Sequence, residues 1–295
     1  MDSYLFPEAL QDDPHQQFPA EPGEGDIRRF QELILRYYAQ KKRPMPWRET
    51  NDAYAILVSE IMLQQTQVDR VRSKYQEFLS KWPTPAALAE APLSEVLVLW
   101  QGLGYNRRAR FLQEAAKAVV ERFGGAVPES VEKLRSLPGV GEYTAAAVAA
   151  FAFGSPAVVV DTNVRRVIIH FFFRDGDSVS DDEVNRLVEK TLYRADPRQW
   201  YYALMDYGAV LSRLFPNANR RSSAYTKQSR FEGSLRQVRG RILAQLSAGE
   251  ALSIELLAER TGFGRGRVEP ALLSLEKDGL VTKTKPHSNE FVLAT

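Results

Sequence analysis

The chain has 295 residues, a net charge of +2, 44% hydrophobic side chains and no cysteine. That length allows one large or two modest domains with a sizeable core. The missing cysteines exclude disulfides, thiolate zinc sites and cysteine-ligated iron–sulfur clusters. His15, His170 and His287 are too far apart in sequence to suggest an imidazole metal site, so no metal ligands are assigned. No apolar run approaches the roughly 20 residues of a membrane span, and no signal peptide is visible.

Residues 1–25 carry Asp2, Glu8, Asp12, Asp13, Glu21 and Glu24 but no Lys or Arg. They lack periodicity and are predicted to be disordered. Setting those six acids aside leaves +8 on the remainder, a charge suited to a polyanion. Asp26 is the predicted N-cap of a first helix, whose apolar stripe is Ile27, Phe30, Ile34 and Tyr37 or Tyr38. Arg43-Pro44-Met45-Pro46-Trp47-Arg48 should break it.

A second helix is predicted over 53–65. Its odd member is Glu60, which shares a face with Ile56, Leu57 and Leu63. A carboxylate there is costly to ionise, which suits a general acid. Equally, Glu60 sits on the helix flank, satisfied by Arg70 or water. Val68, Val71, Tyr75 and Phe78 form the next stripe, and Thr84-Pro85 opens another helix with cap and first-turn proline. Phe111–Phe123 is amphipathic and stops at Gly124-Gly125. Arg107, Arg108 and Arg110 either grip phosphates or simply solvate their helix.

The most informative stretch runs from Leu137 to Phe173. Pro138-Gly139-Val140-Gly141 reads as a tight turn, followed by an Ala-rich helix, Tyr143–Phe153. Gly139, Val140 and Gly141 would present backbone N–H groups at a helix N-terminus, where a DNA phosphate could sit. The apolar run Ala157–Val160 then delivers Asp161 to the mouth of a helix over 163–173. Asp161 either serves chemistry or merely caps that helix.

A phosphate-gripping turn followed at this distance by a carboxylate resembles the helix-hairpin-helix/GPD superfamily of DNA glycosylases. PMPWR, SEIMLQQTQV and GLGYNRRAR (102–110) sharpen the resemblance to its adenine-specific mismatch (MutY-type) members, over about residues 26–215. The resemblance implies that Glu60 is the general acid and that Asp161 handles the developing sugar cation. Asn163 would orient that carboxylate or a water, or else is an ordinary helix-start residue. Gln64, Gln65 and Thr66, which close MLQQT, fall at the base pocket and DNA surface. Gln65 matches the glutamine inserted into the base stack, and Tyr105 the tyrosine beside the base opposite adenine. Arg48 matches a residue near the extruded adenine, although an arginine after Trp could equally stack or pair. Bifunctional relatives carry a Schiff-base lysine where this chain has Tyr143, so base removal without strand cleavage is implied. Lys133 reads as a surface residue.

Three departures stand out. Most relatives carry C-x6-C-x2-C-x5-C, which would fall on Ser212, Asn219, Ser222 and Gln228; this looks like a clusterless member, with no cofactor expected. The loop 213–230 keeps Arg220, Arg221, Lys227 and Arg230, which could still touch DNA. Tyr202 stands where relatives often have Glu or Gln facing the flipped base, which opens the base specificity. The usual Nudix-like domain does not fit in the roughly 60 residues after Phe231. They read instead as three helices (235–246, 253–260, 267–277) and a two-stranded wing (280–283, 290–293). Arg265 and Arg267 could open a DNA-recognition helix, or the module mediates protein contacts.

The expected fold is mostly α: a bilobal helix-hairpin-helix glycosylase core (26–230, hairpin at 134–153) and a small C-terminal winged-helix-like domain (231–295). The expected function is removal of adenine mispaired with guanine or 8-oxoguanine, initiating base excision repair. Double-stranded DNA with a mismatched or damaged base pair is the partner. The chain is expected to act as a soluble monomer in the cytoplasm, associated with the nucleoid. The alternatives are a same-fold glycosylase for thymine or uracil opposite guanine, or a non-catalytic DNA-binding protein.

Overall fold

The computed structural model describes residues 13–174, 176–223, 225–226 and 230–295. In chain order its helices begin with α1 (Glu24–Lys41), α2 (Ala53–Leu63), α3 (Val68–Lys81), α4 (Pro85–Glu90), α5 (Leu93–Leu99), α6 (Arg107–Phe123) and α7 (Val131–Arg135). They continue with α8 (Glu142–Phe153), α9 (Thr162–Phe172), α10 (Asp181–Thr191), α11 (Pro197–Leu214) and α12 (Leu235–Leu246). Strand β1 (Leu252–Ser253), helices α13 (Ile254–Thr261) and α14 (Arg265–Lys277), and strands β2 (Val281–Lys283) and β3 (Glu290–Leu293) complete the chain. Two compact units result, one from residues up to 51 together with 142–227, the other from 52–141 together with 228–295.

The first unit is built on α1 and α8–α11. Its centre is aromatic: Phe30 meets Phe18, Phe171, Phe172 and Trp200 with ring centroids 4.9–5.7 Å apart. Such edge-on pairs add to the burial of large apolar area. Helices α9 and α11 approach so closely that a Cβ on Gly208 would lie 2.4 Å from the Asn163 carbonyl oxygen. Only glycine permits that crossing. Asp206, 2% exposed, ties the 43–48 loop to α11 by accepting from Arg43 Nε at 2.6 Å and from Arg48 at 2.9 Å through both of its oxygens.

The acidic tail corrects one expectation. Residues 1–12 lie outside the described residues, but 13–25 are ordered against the unit. Phe18 is buried, and Asp13 is buried and pairs with Arg36 at 2.7 Å. The 13–25 stretch reads as polar, and its single Phe with one paired Asp is too sparse a signal for periodicity to detect. Helix α1 also starts two residues before Asp26. Its N-cap is Gly23, and Asp26 accepts the Gly23 N–H at 3.1 Å from inside the first turn, the reach-back half of a capping box.

The second unit contains α2–α7 and the C-terminal module. Helix α2 is buried from Tyr54 to Met62, and α4 packs on α6. Thr84 caps α4 by accepting the Ala87 N–H at 3.2 Å. The C-terminal module is a winged helix: α12–α14 enclose Val238, Ile242, Leu257, Val268 and Leu272, all at most 1% exposed. Its antiparallel sheet has the order β1-β3-β2, with Leu252 opposite Phe291 and Val281 opposite Leu293. The short strand β1 is the element that alternation could not reveal, since two residues carry no period. Module and lobe share one compact unit, a grouping that the linear division at residue 231 did not anticipate.

Candidate active site

Asp161 is the N-cap of α9. Its Oδ1 accepts the backbone N–H of Asn163 at 2.8 Å and of Val164 at 2.6 Å. Oδ2 accepts from Asn163 Nδ2 at 2.9 Å. Asn163 in turn accepts at Oδ1 from Arg166 at 2.9 Å, and Arg166 also donates to the Gly208 carbonyl at 2.8 Å. The close crossing at Gly208 thus fixes the chain of side chains that orients the carboxylate. Burial pushes the Asp161 carboxyl above the ordinary aspartate range, and the three hydrogen bonds and Arg166 only partly offset it. A cap on a solvated helix end should show the opposite shift, because hydrogen bonds to the charged form favour it. Capping therefore explains Oδ1 but not why the charge is held in a desolvated place.

The same unit holds three more of the expected residues. Arg48, 7% exposed at its side chain, pairs with Asp206 and lies over the Tyr202 ring at 4.5 Å. Tyr202 is buried and also stacks, tilted, on Phe151 at 4.7 Å. Tyr143 occupies the first turn of α8 and is partly buried.

The second unit holds Glu60 and the hairpin turn. Glu60 is 5% exposed on α2, beside Ile56 and Leu57 at 1%. Of the two positions open to Glu60, this is the one on the apolar face and not the solvated flank. Helix α2 ends at Leu63 rather than at Gln65, because Gln65 adopts φ 53. Gln64 caps that end, and Thr66 turns back to donate to the Leu103 carbonyl at 3.1 Å. In the hairpin, Val140 is a buried plug while Gly139 and Gly141 stay exposed. Gly139 has φ 73, and a Cβ there would meet Phe111 Cβ at 2.6 Å. The glycine requirement follows from both.

The arginines of 107–110 differ in environment: Arg107 is exposed, as a solvated helix residue would be, whereas Arg108 is buried. Arg107 lies over the Phe111 ring and Arg110 donates to the Asp278 carbonyl at 2.7 Å. Arg108 is buried and makes the densest set of bonds in the unit. It donates to the carbonyls of Ile61 at 2.7 Å, Met62 at 2.9 Å and Gly104 at 2.9 Å, and to Thr66 Oγ1 at 2.9 Å. Two of these acceptors belong to the otherwise open end of α2. Burial draws the Arg108 pKa down to about 10, still charged near neutrality. Sequence reading missed it, although Arg108, Leu112 and Ala115 share one helical face.

Comparison with known proteins fits this geometry. The family model described as HhH-GPD superfamily base excision DNA repair protein matches residues 58–193, and a DprA winged helix domain model matches 229–285. The Adenine DNA glycosylase of Mycobacterium tuberculosis (strain CDC 1551 / Oshkosh) is 37% identical over 284 residues, covering 85% of this chain and 90% of that protein. The chain belongs to the HhH-GPD superfamily of base excision DNA repair proteins.

Within that superfamily it groups with the adenine DNA glycosylases. The one from Rattus norvegicus is 44% identical over 198 residues, 63% of this chain, and the chain spans only 38% of that relative's length. A thermostable thymine-DNA glycosylase of known structure superposes with TM-score 0.56 at 33% identity, covering 62% of this chain and 86% of that one.

The cluster-ligand positions of such enzymes do not fit a metal here. Ser212 donates to the Ala209 carbonyl at 2.7 Å, and Asn219 to the Thr162 carbonyl at 2.9 Å. Ser222 accepts from Arg165 at 3.1 Å, and Gln228 lies outside the described residues. Hydroxyls and an amide engaged in this way supply no thiolates to hold iron. Among the described residues, no group of three or more His, Cys, Asp or Glu could hold a metal ion, and no helix is long and apolar enough to cross a membrane.

Proposed function

We propose that the chain removes adenine mispaired with guanine or 8-oxoguanine from duplex DNA, without cutting the strand and without an iron–sulfur cluster. The observation that carries this reading is the desolvated Asp161 carboxyl, oriented by Asn163 and Arg166 at the end of α9. A protein that only binds DNA has no use for a carboxylate held at that cost. Adenine is swung out of the stack, since its glycosidic bond is unreachable within it. Glu60 donates a proton to adenine, the C1′–N9 bond breaks with its electron pair passing to the base, and Asp161 stabilises the oxocarbenium-like sugar. Water then adds hydroxide to C1′ and yields its second proton to a carboxylate. This is the two-carboxylate logic of glycoside hydrolysis. Tyr143 is a phenol and forms no Schiff base, so the product is an intact abasic strand. The place of action is the cytoplasm, at the nucleoid.

The test is single-turnover release by Glu60→Gln and Asp161→Asn. Both should lose at least about a thousandfold in rate while duplex affinity stays within a few fold. Near-normal turnover by either variant overturns the assignment. Activity should also survive a strong chelator unchanged.

A second reading is favoured by one residue. Tyr202 closes over Arg48, and a Thymine/uracil-DNA glycosylase of Methanothermobacter thermautotrophicus is 35% identical over 188 residues, 84% of that protein. Excision of thymine or uracil opposite guanine is the outcome it would give.

A further inference from the structure

The C-terminal module packs β3 against α5 and holds residues 101–110 of the lobe through side-chain hydrogen bonds. Gln101 donates to the Leu243 carbonyl at 3.2 Å and bonds Ser247. Arg110 reaches the Asp278 carbonyl, and Arg107 lies 3.9 Å from the Asp278 carboxylate. Midway between them, Arg236 of α12 donates to the Tyr105 hydroxyl at 2.5 Å, with its guanidinium 5.4 Å from the ring centroid.

Tyr105 is no ordinary loop aromatic. It adopts φ 45, and Gln65 on the neighbouring loop adopts φ 53; among the described residues no other non-glycine is left-handed. A bulky side chain at positive φ is strained by about 1–3 kcal/mol and persists only where its surroundings dictate it. Arg108 supplies that constraint for both loops, since it bonds Thr66 beside Gln65, and Gly104 and Tyr105 through their carbonyls at 2.9 and 3.4 Å. The Arg108 guanidinium also lies 5.7 Å from the Tyr105 ring centroid, and Arg236 adds the hydrogen bond that fixes the direction of the hydroxyl. Meanwhile the exposed arginines of α13 and α14 already have partners within the module. Arg265 is paired with Glu255 at 2.8 Å and lies 3.8 Å from Glu269, Arg260 is paired with Glu250 at 2.9 Å, and Arg267 bonds the Gly233 carbonyl. Arg236 is instead directed at the 101–110 loop.

We propose that Arg236 is a positioning residue for Tyr105, and that through it the winged-helix module sets how strongly the enzyme distinguishes the base opposite its target. The proposal rests on the glycosylase reading. Its test separates the two by using binding as well as release. Full-length wild type, Arg236→Ala, Arg236→Lys, Tyr105→Phe and the Arg236→Ala/Tyr105→Phe double variant would be titrated with duplexes holding a tetrahydrofuran abasic analogue opposite either 8-oxoguanine or guanine. Adenine release from the matching A:8-oxoguanine and A:G duplexes would be measured alongside.

The expected result is that Arg236→Ala and Tyr105→Phe each shrink the ratio of the two affinities by about tenfold, the scale of one charge-assisted hydrogen bond. The double variant should shrink it no further, and Arg236→Lys, which keeps a charged donor, should fall between. An unchanged ratio in Arg236→Ala, an equal loss on both duplexes, or multiplicative losses in the double variant each overturn the proposal. If Arg236→Ala does not fold, Tyr105→Phe decides alone, since it removes only the hydroxyl that Arg236 binds. Failure of wild type to release adenine would overturn the functional reading, and the binding ratios would still decide the role of Arg236.

Discussion

At the scale of single residues, the proposed chemistry uses a carboxylate that the fold makes costly to ionise. The folded-state pKa of Asp161 lies above the ordinary 3.8, so the folded protein binds its proton more tightly than the unfolded chain. Its contribution to stability is therefore present at low pH and lost as pH rises from about 4 through the raised value, the reverse of a salt-bridged aspartate. Asp161→Asn keeps an oxygen to cap α9 but removes a charge that is costly to hold in this half-buried place. Thermal melts across pH should show the variant gaining on wild type as pH rises, by roughly 2–4 °C for each kcal/mol, although it is inactive. A variant that loses ground above pH 6 contradicts the burial argument. Arg108→Met should cost roughly 2–4 kcal/mol, because five backbone carbonyls and the Thr66 hydroxyl lose a buried donor; denaturant titration measures it. The place of Asp161 at the mouth of α9 was legible because it follows a glycine turn and an apolar run. Arg108 was not, because an arginine in a row of three reads as solvated unless its helical face is followed through Leu112 and Ala115.

At the scale of elements, two glycines decide where helices can go. Gly208→Ala would drive a methyl group to within 2.4 Å of the Asn163 carbonyl, so α9 or α11 must move. Loss of stability of about 2 kcal/mol or more is expected, together with loss of base release, since Asn163 carries the bond to Asp161. Gly139→Ala is strained by φ and by Phe111 alike and should destabilise by a similar amount, seen as a lowered melting temperature. Helix existence was readable where stripes such as Val71, Tyr75 and Phe78 or caps such as Thr84 were followed, whereas α5, α10 and α11 were not predicted. Ends were less readable. The α2 boundary slipped by two residues because MLQQT looks helical, and only the left-handed turn at Gln65, fixed by the distant Arg108, ends it. Propensity carries no information about a constraint supplied 43 positions away.

At the scale of the whole molecule, the winged-helix pattern was visible in the last 60 residues, but its attachment was not. Attachment depends on pairs such as Arg236 with Tyr105 that lie 131 positions apart. The charge balance was visible as well: the acids gather before residue 25 and leave the remainder basic. Binding to any duplex should accordingly be salt-dependent. Four neutralised phosphates would give about a hundredfold loss between 50 and 200 mM salt, whereas a flat response contradicts a phosphate-gripping surface. The function itself turns on which base leaves. Single-turnover release from duplexes carrying A:8-oxoguanine, A:G, A:C, T:G and U:G, each followed by alkali to cut any abasic site, reads this directly. Adenine release fastest opposite 8-oxoguanine, with strands intact before alkali, is the expected result. Release confined to T:G or U:G, or none at all with binding retained, would contradict it.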